Sequence, residues 1–401
     1  MKRRQIWFGA AFAVLAVLAA SMYFSQPCAV EAGTDAVASC PYDVLAPISQ
    51  GNLTIFPVVA RTSFDTRGFL TLDEGLRSGE VIISEANQAA PLIRRRHSNV
   101  RPPNYGWGET NRLILINNSE RPLLLLAGEV VTGGHQDRIV GADRIIPGES
   151  DADLSVFCIE HGRSTGASVN FVASGAYGKT DAYMAQPSVR AQANNKDQRG
   201  VWDEVAKTKV AMAAPAAEAI MVQDGTGGVA GGPLDNSPRP APVLSPSAAN
   251  ELASTTSYAR VMETKEVSQA VDKVAMPIQH SYESLMRELR NRNAVGVVVA
   301  VNGRIIWADI FASNELLTKY WPKLVRSYAA EAIETYARYS QPSVQSAQQF
   351  LNQLDGRKEV VESEPGIFRH AEIIGDGYKV FELTSLLPRT GFQVHLSKMA
   401  D

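Results

Sequence analysis

Apolar residues in this chain fall in short unbroken runs through the first half and in helical stripes through much of the second. LTIFPVVA (53–60) and VIISE (81–85) have the length and β-branched content of strands. Between them Thr71 stands three residues before Glu74, the spacing of a capping box, and Gly79 follows as a stop, so a short helix is predicted. RLILINNSERPLLLLAGEVV (112–131) holds two apolar runs around a polar turn and reads as a hairpin. DRIIPGESDADLSVFCIE (143–160) reads as two more strands around Pro147-Gly148. Residues 174–198 lack periodicity and read as an irregular surface loop.

The second half changes character. VWDEVAKTKVAM (201–212) has a helical period, and so does the stretch 257–292. VGVVVAVNGRIIWADIF (295–311) is a hairpin around Asn302-Gly303. A helix capped by Asn314 runs through Leu317, Tyr320, Leu324 and Tyr328, with Pro322 at its first turn or at a kink. A shorter helix at 343–355 and strands at 378–385 and 392–398 close the chain. The fold class is α+β, one globular unit whose strand-rich N-terminal half is joined to helices and further hairpins. The strand-rich part spans 49–212, the helix-hairpin-helix part 257–340, and a C-terminal helix with strands 341–401. Between the first two, 213–256 is rich in Ala, Gly, Pro and Ser, with GTGGVAGGP and SPRPAPVLSPS, a composition that points to a disordered insertion.

The N-terminus alters the picture of where this unit works. Lys2, Arg3 and Arg4 precede an uncharged apolar run from Ile6 to Ala20, followed by small residues, which is the layout of a secretory signal. Residues 1–24 are therefore a signal peptide or a signal anchor, and 25–48, with Pro27, Pro41 and Pro47, reads as a tether. The expectation is export to the periplasm or cell envelope, with membrane contact through 1–24 alone if these residues are not cleaved. Cys28 and Cys40 flank a short stretch in which a disulfide would suit an oxidising compartment, and Cys158, inside LSVFCIE, reads as a buried thiol. The formal charge of −3 becomes −6 without the three cations of the signal, and a chain of that sign offers no basic face for nucleic acid. Neither a metal site nor a cofactor is called for, and protein partners are not specified.

Three clusters could carry chemistry. The first, Glu129 through Gly133-Gly134-His135-Gln136-Asp137-Arg138, sets a carboxylate at the end of an apolar run before a glycine pair whose backbone could approach an anion. Its alternative is a tight turn with a structural Glu129–Arg138 pair. The second, Glu160-His161-Gly162-Arg163, also ends an apolar run, and if the two strands are neighbours Glu129 and Glu160 would emerge together and divide acid and base roles. The third lies at 319–328, where Lys319, Lys323 and Arg326 share a helical face; Lys323 and Arg326 are the candidates, and the aromatic stripe beside them reads as core. The segment 173–180 ends like a phosphate-binding loop but has Ala173 where the first glycine is required, and Pro187 interrupts the helix that should follow.

At these clusters the sequence resembles the domain family associated with ADP-ribosylglycohydrolases and rhodanese-phosphatases, the first of two so named and formerly a domain of unknown function. The resemblance is carried by LTIFPVV with FLTLDEGLRSGEVIISE (69–85), by RPLLLLAGEVVTGGHQDR (121–138) through VFCIEHGR (156–163), and by VWDEVAK with VVVAVNGRIIWADIF and YWPKLVRSYAAEAI (320–333), over about residues 50–335. His135 stands where members have Lys, and Ser164 where they have Trp. The resemblance implies a link to NAD and ADP-ribose metabolism. Taken together, the expectation is an exported binding module with a polar pocket for a small anionic ligand, ADP-ribose-like or other. That pocket would be formed by Glu129, Gly133, Gly134, His135, Gln136, Arg138, Glu160 and Arg163, with Lys323 and Arg326 beside it. A hydrolase or transferase using paired glutamates on ADP-ribose-related or phosphorylated nucleosides is one alternative, and a purely structural envelope protein another.

Overall fold

The computed structural model describes residues 41–85, 112–162, 170–173, 183–213, 242–288, 292–335 and 340–401. The signal segment, Cys28, Cys40, most of the segment 173–180 and Arg163 lie outside them.

The chain opens with β1 (Tyr42–Val44), β2 (Ile48–Gln50) and β3 (Leu53–Ala60), so the expected tether ends by residue 41: β1 and β2 both pair with β3. β4 (Leu70–Thr71) leads into α1 (Leu72–Ser78), where the capping box forms as expected, the Thr71 hydroxyl accepting from the Glu74 N–H and the Glu74 carboxylate from the Thr71 N–H. There follow β5 (Val81–Glu85), β6 (Arg112–Asn117), β7 (Leu123–Leu125), β8 (Glu129–Thr132), β9 (Arg138–Val140), β10 (Arg144–Ile146), β11 (Ser150–Cys158), β12 (Asn170–Ala173) and β13 (Tyr183–Met184). Helices α2 (Pro187–Asn194) and α3 (Gln198–Ala213) come next, then α4 (Pro246–Ser254), α5 (Tyr258–Glu263) and α6 (Lys265–Glu288). The hairpin β14 (Ala294–Val301) and β15 (Arg304–Phe311) precedes α7 (Asn314–Ile333) and α8 (Val344–Asn352). The chain ends in β16 (Arg357–Glu364), β17 (Phe368–Gly375), β18 (Tyr378–Ser385) and β19 (Gln393–Ala400).

These strands make two bodies. A nine-stranded sheet runs β1-β3-β14-β15-β19-β18-β17-β16, with β2 added to β3, so the C-terminal strands are part of the same sheet as the N-terminal ones. The second body is a ring: β5, β6, β11, β9, β8 and β12 pair in succession and β12 returns to β5. A small sheet, β10-β7-β4, lies beside it. The two apolar runs of 112–131 are therefore not a hairpin. β6 pairs with β5 and β11 in the ring, whereas β7 pairs with β10 and, in parallel, with β4. The chain turns the same corner twice, at 118–122 and at 147–149. The Asn117 amide ties the two turns together by donating to the carbonyls of Arg121 (2.8 Å) and Pro147 (3.0 Å).

Burial on both faces explains the unbroken apolar runs. Leu123, Leu125, Val131, Val140 and Ile146 join the core within the ring, while Leu124, Leu126, Val130, Ile139 and Ile145 face the large central core beneath the helices. That central core also takes in α5, α6 and α7 and one face of the large sheet; α8 packs on the sheet's other face through Ala347 and Leu351.

Three local expectations need correcting. Pro187 does not break a helix but begins one, at a first-turn position where its missing N–H costs nothing, so the region 174–198 contains α2 as well as β13. Residues 246–254, placed in the disordered insertion, form α4, capped by Ser245 with Ala248 and Leu252 buried. The cap of α7 is Ser313, whose hydroxyl accepts from the Leu316 N–H at 3.1 Å, while the Asn314 side chain donates instead to the Ala294 carbonyl at 2.8 Å. Pro322 lies inside α7. Among the described residues no helix is long and apolar enough to cross a membrane.

Candidate functional site

Helices α6 and α7 border a cleft of about 810 Å³ that is also lined by Tyr183 and Met184 of β13 and by Tyr258 and Met262 of α5. The spacing of Ser268, Asp272, Ala275 and Gln279 on α6, and of Lys323, Arg326 and Ala330 on α7, puts each set on one helical face, and those faces line the cleft. Volume, mixed lining and a position between helices are what ligand pockets share. Arg326 crosses the cleft: Nη1 pairs with Asp272 Oδ1 and Nη2 donates to Ser268 Oγ at 3.3 Å. Burial pulls the Arg326 pKa down.

Lys323 stands one turn earlier and is already committed. Its Nζ lies 2.7 Å from Asp73 Oδ2 and 2.5 Å from Glu129 Oε1, over the face of Tyr320. The other Glu129 oxygen accepts from the Leu126 N–H at 2.7 Å, so both oxygens of this fully buried carboxylate are used. Burial pushes the Glu129 carboxyl above the usual range; Lys323 pulls it down and Asp73 pushes it up again. One turn before Lys323, Lys319 reaches Glu74 at 3.0 Å, so two lysines of α7 dock the acidic first turn of α1. Glu129 thus serves a buried ion pair with Lys323, not with Arg138.

The glycine pair and Glu160 lie elsewhere. Val131 pairs with Arg138 and Arg138 with Cys158, so β9 separates β8 from β11, and Glu129 and Glu160 fall toward opposite ends of these strands. The two glutamates share no site, and a division of acid and base roles between them has no geometry to rest on. Around the glycine pair the organising residue is Asp137, which the sequence did not single out. Its carboxylate accepts from the Gly133 N–H (3.2 Å) and the Ser257 hydroxyl (2.6 Å), and its N–H donates to Glu160 (3.2 Å). The backbone does make the close approach its glycines suggested, but to the protein itself: at Gly134, φ +52, a Cβ would sit 2.3 Å from the Phe171 ring and 2.6 Å from Glu85 Oε1. The His135 N–H donates to Glu85, and Arg138, with no exposed surface, donates to Gln136. Cys158 is buried, and burial pushes its thiol up.

A further buried network, which no sequence motif marks, joins the two bodies. Arg190 of α2 holds Asp309 of β15 through two parallel bonds of 2.9 and 3.0 Å. Tyr328 donates to the same carboxylate, and His395 of β19 stands between Asp309, 3.3 Å from Nε2, and Asp143, 2.5 Å from Nδ1. The Arg190 side chain lies over Trp307 and against Gly128, where a Cβ would come within 2.5 Å of it. Against the cost of burial, Asp143 and Asp309 carry the His395 pKa up to about 9. The signal available in the sequence was Asp309 inside the apolar run IIWADIF and His395 between the apolar residues of the strand FQVHLSK. Among the described residues no group of His, Cys, Asp and Glu is placed to hold a metal ion.

The cleft, the committed Lys323 and the self-filled glycine loop are built from segments spread over nearly the whole chain. No curated protein and no solved structure matches it. The profile of one family does, the ARG and Rhodanese-Phosphatase-superfamily-associated Protein domain, over residues 41–398, which takes in the C-terminal strands beyond the stretch of the original resemblance. With that span of the chain matched, the protein belongs to the ARG and Rhodanese-Phosphatase-superfamily-associated domain family.

Proposed function

We propose that the protein is an exported binding module whose small ligand enters the cleft between α6 and α7 and turns an anionic group toward Arg326. The observation that carries this reading is the cleft itself. Its lining combines apolar residues (Met184, Met262) with polar and charged ones, and Met lining adapts to irregular ligands. Export rests on residues 1–24 and their charged, then apolar, layout. An enzymatic role would have to rest on Glu129 without Glu160, and the Glu129 carboxylate is already satisfied within the fold.

A thermal-shift screen of the full chain against ADP-ribose, NAD, nucleotides and small organic acids tests the reading. A ligand of the cleft raises Tm in the natural chain and fails to do so in Met276→Trp, which fills the mouth at a residue 63 % exposed. A hit that survives Met276→Trp binds elsewhere and ends the assignment of this site. Export is tested by fractionation: the full chain should leave the cytosol and a chain lacking 1–24 should stay.

A further inference from the structure

We propose that Arg326 and Ser268 are the anion subsite of this cleft, that Asp272 fills it as an internal competitor, and that the ligand is a carboxylate with an apolar body. The inference rests on the cleft being the binding site and goes on to name the subsite and the ligand class.

Three features of the cleft lead there. The first is supply of positive charge. Lys323 is held by Asp73 and Glu129, and Lys265 is exposed at the rim, so Arg326 is the cation within the cleft whose partner can leave. The second is the partner. The Arg326 side chain is 25 % exposed and that of Asp272 35 %, so the carboxylate keeps enough water to be released cheaply while the guanidinium, more deeply placed, still needs an anion. Ser268 lies one turn from Asp272 on the same face of α6 and donates or accepts without charge, so it stays when the carboxylate goes.

The third is charge balance. Exchanging one carboxylate for another leaves Arg326 with the same planar, singly charged partner that its fork fits. A phosphate dianion would bring a second charge to a wall with one available cation and with Asp73 and Glu129 behind it. Beside the subsite, Met262, Val271 and Ala275 supply apolar surface for the rest of the molecule.

The probes are 4-phenylbutyrate, its neutral amide and phenyl phosphate, titrated calorimetrically into the full chain. The acid should bind at least about tenfold more tightly than the amide, a difference of about 1.4 kcal/mol. Asp272→Asn should tighten the acid by about tenfold and leave the amide unchanged, and Arg326→Gln should abolish the preference for the acid. Should Arg326→Gln fail to fold, Asp272→Asn decides alone. The proposal is overturned if Asp272→Asn leaves the acid's affinity unchanged or weakens it, if phenyl phosphate binds more tightly than the acid, or if no probe binds either chain. A screen hit that Met276→Trp blocks and Asp272→Asn does not alter would sink the subsite while the cleft reading stands.

Discussion

The network around Asp309 and the wall around Arg326 both bring a guanidinium to a carboxylate, yet the Arg190 side chain is 1 % exposed and that of Arg326 25 %. In the first region every charge has a fixed partner drawn from a distant part of the chain. Arg190 and Asp309 are 119 residues apart, and His395 and Asp143 are 252 apart. In the second, the partners lie on two adjacent helices and border a cleft. Buried pairs leave no room for a ligand and cost much to break; half-exposed pairs contribute little to stability and can be exchanged. Charge density in the sequence does not separate the two cases, because both read as charged residues beside apolar ones. Burial and the origin of the partner do.

The comparison breaks first, if it breaks, at Asp309. Asp309→Ala leaves Arg190 and His395 in the core without their shared carboxylate, and breaking a buried pair from one side costs about 3–5 kcal/mol. Denaturant unfolding of the full chain should show a loss of that size; a loss below about 1 kcal/mol would mean that the network is open to water. Lys323 should rank next. Lys323→Met strands Asp73 and Glu129 together and should cost about 3 kcal/mol, whereas Glu129→Gln leaves Lys323 with Asp73 and should cost about 1–2 kcal/mol. If Glu129→Gln were the costlier of the two, the lysine would not be the centre of this cluster.

How much of this was legible follows from range. Features settled within a few residues were read from the sequence alone: the Thr71–Glu74 box, the Asn302-Gly303 hairpin, the strands at 53–60 and 81–85, the buried Cys158. Features settled by distant partners were not. The two corners at 118–122 and 147–149 look like hairpin turns because the runs around them are apolar on both faces, which removes the alternation that would say which sheet each strand joins. Glu129 and Glu160 each end an apolar run, but only the register shows β9 between their strands. Helical spacing puts Lys323 and Arg326 together, yet α1 claims one and α6 the other, which spacing on α7 cannot tell.

Glu334 sharpens the comparison from a different side, since it is sheltered but its strongest charged neighbour is another carboxylate. Burial, with Glu331 beside it, pushes its carboxyl from 4.5 up to about 8. A folded pKa above the unfolded one gives stability that is fully present below pH 4.5 and is lost as pH rises through about 8. Glu334→Gln removes that loss. Its unfolding free energy should equal that of the natural chain below pH 4.5 and exceed it at pH 8 and above, by roughly 1 kcal/mol after discounting for partial exposure. Burial of Lys398 acts in the opposite sense, bringing its ammonium to about 7, so the difference between the two chains is the quantity to follow rather than either profile. A constant offset at all pH values would show that Glu334 ionises normally.

The smallest effect belongs to the cleft. The Asp272–Arg326 pair is exposed by a third on one side and a quarter on the other, and exposed pairs contribute about 0–1 kcal/mol. Asp272→Asn keeps the side chain's shape and its capacity to accept from Arg326, so unfolding should move by about 0.5 kcal/mol or less. The contrast with Asp309 then becomes a number: two carboxylates facing arginines, one change costing several kcal/mol and the other nearly none. Measuring both in the same buffer removes any common effect of net charge. A loss of 2 kcal/mol or more at Asp272 would make the strap across the cleft part of the scaffold, because a pair that holds α6 to α7 that firmly could not be opened by a weakly binding ligand.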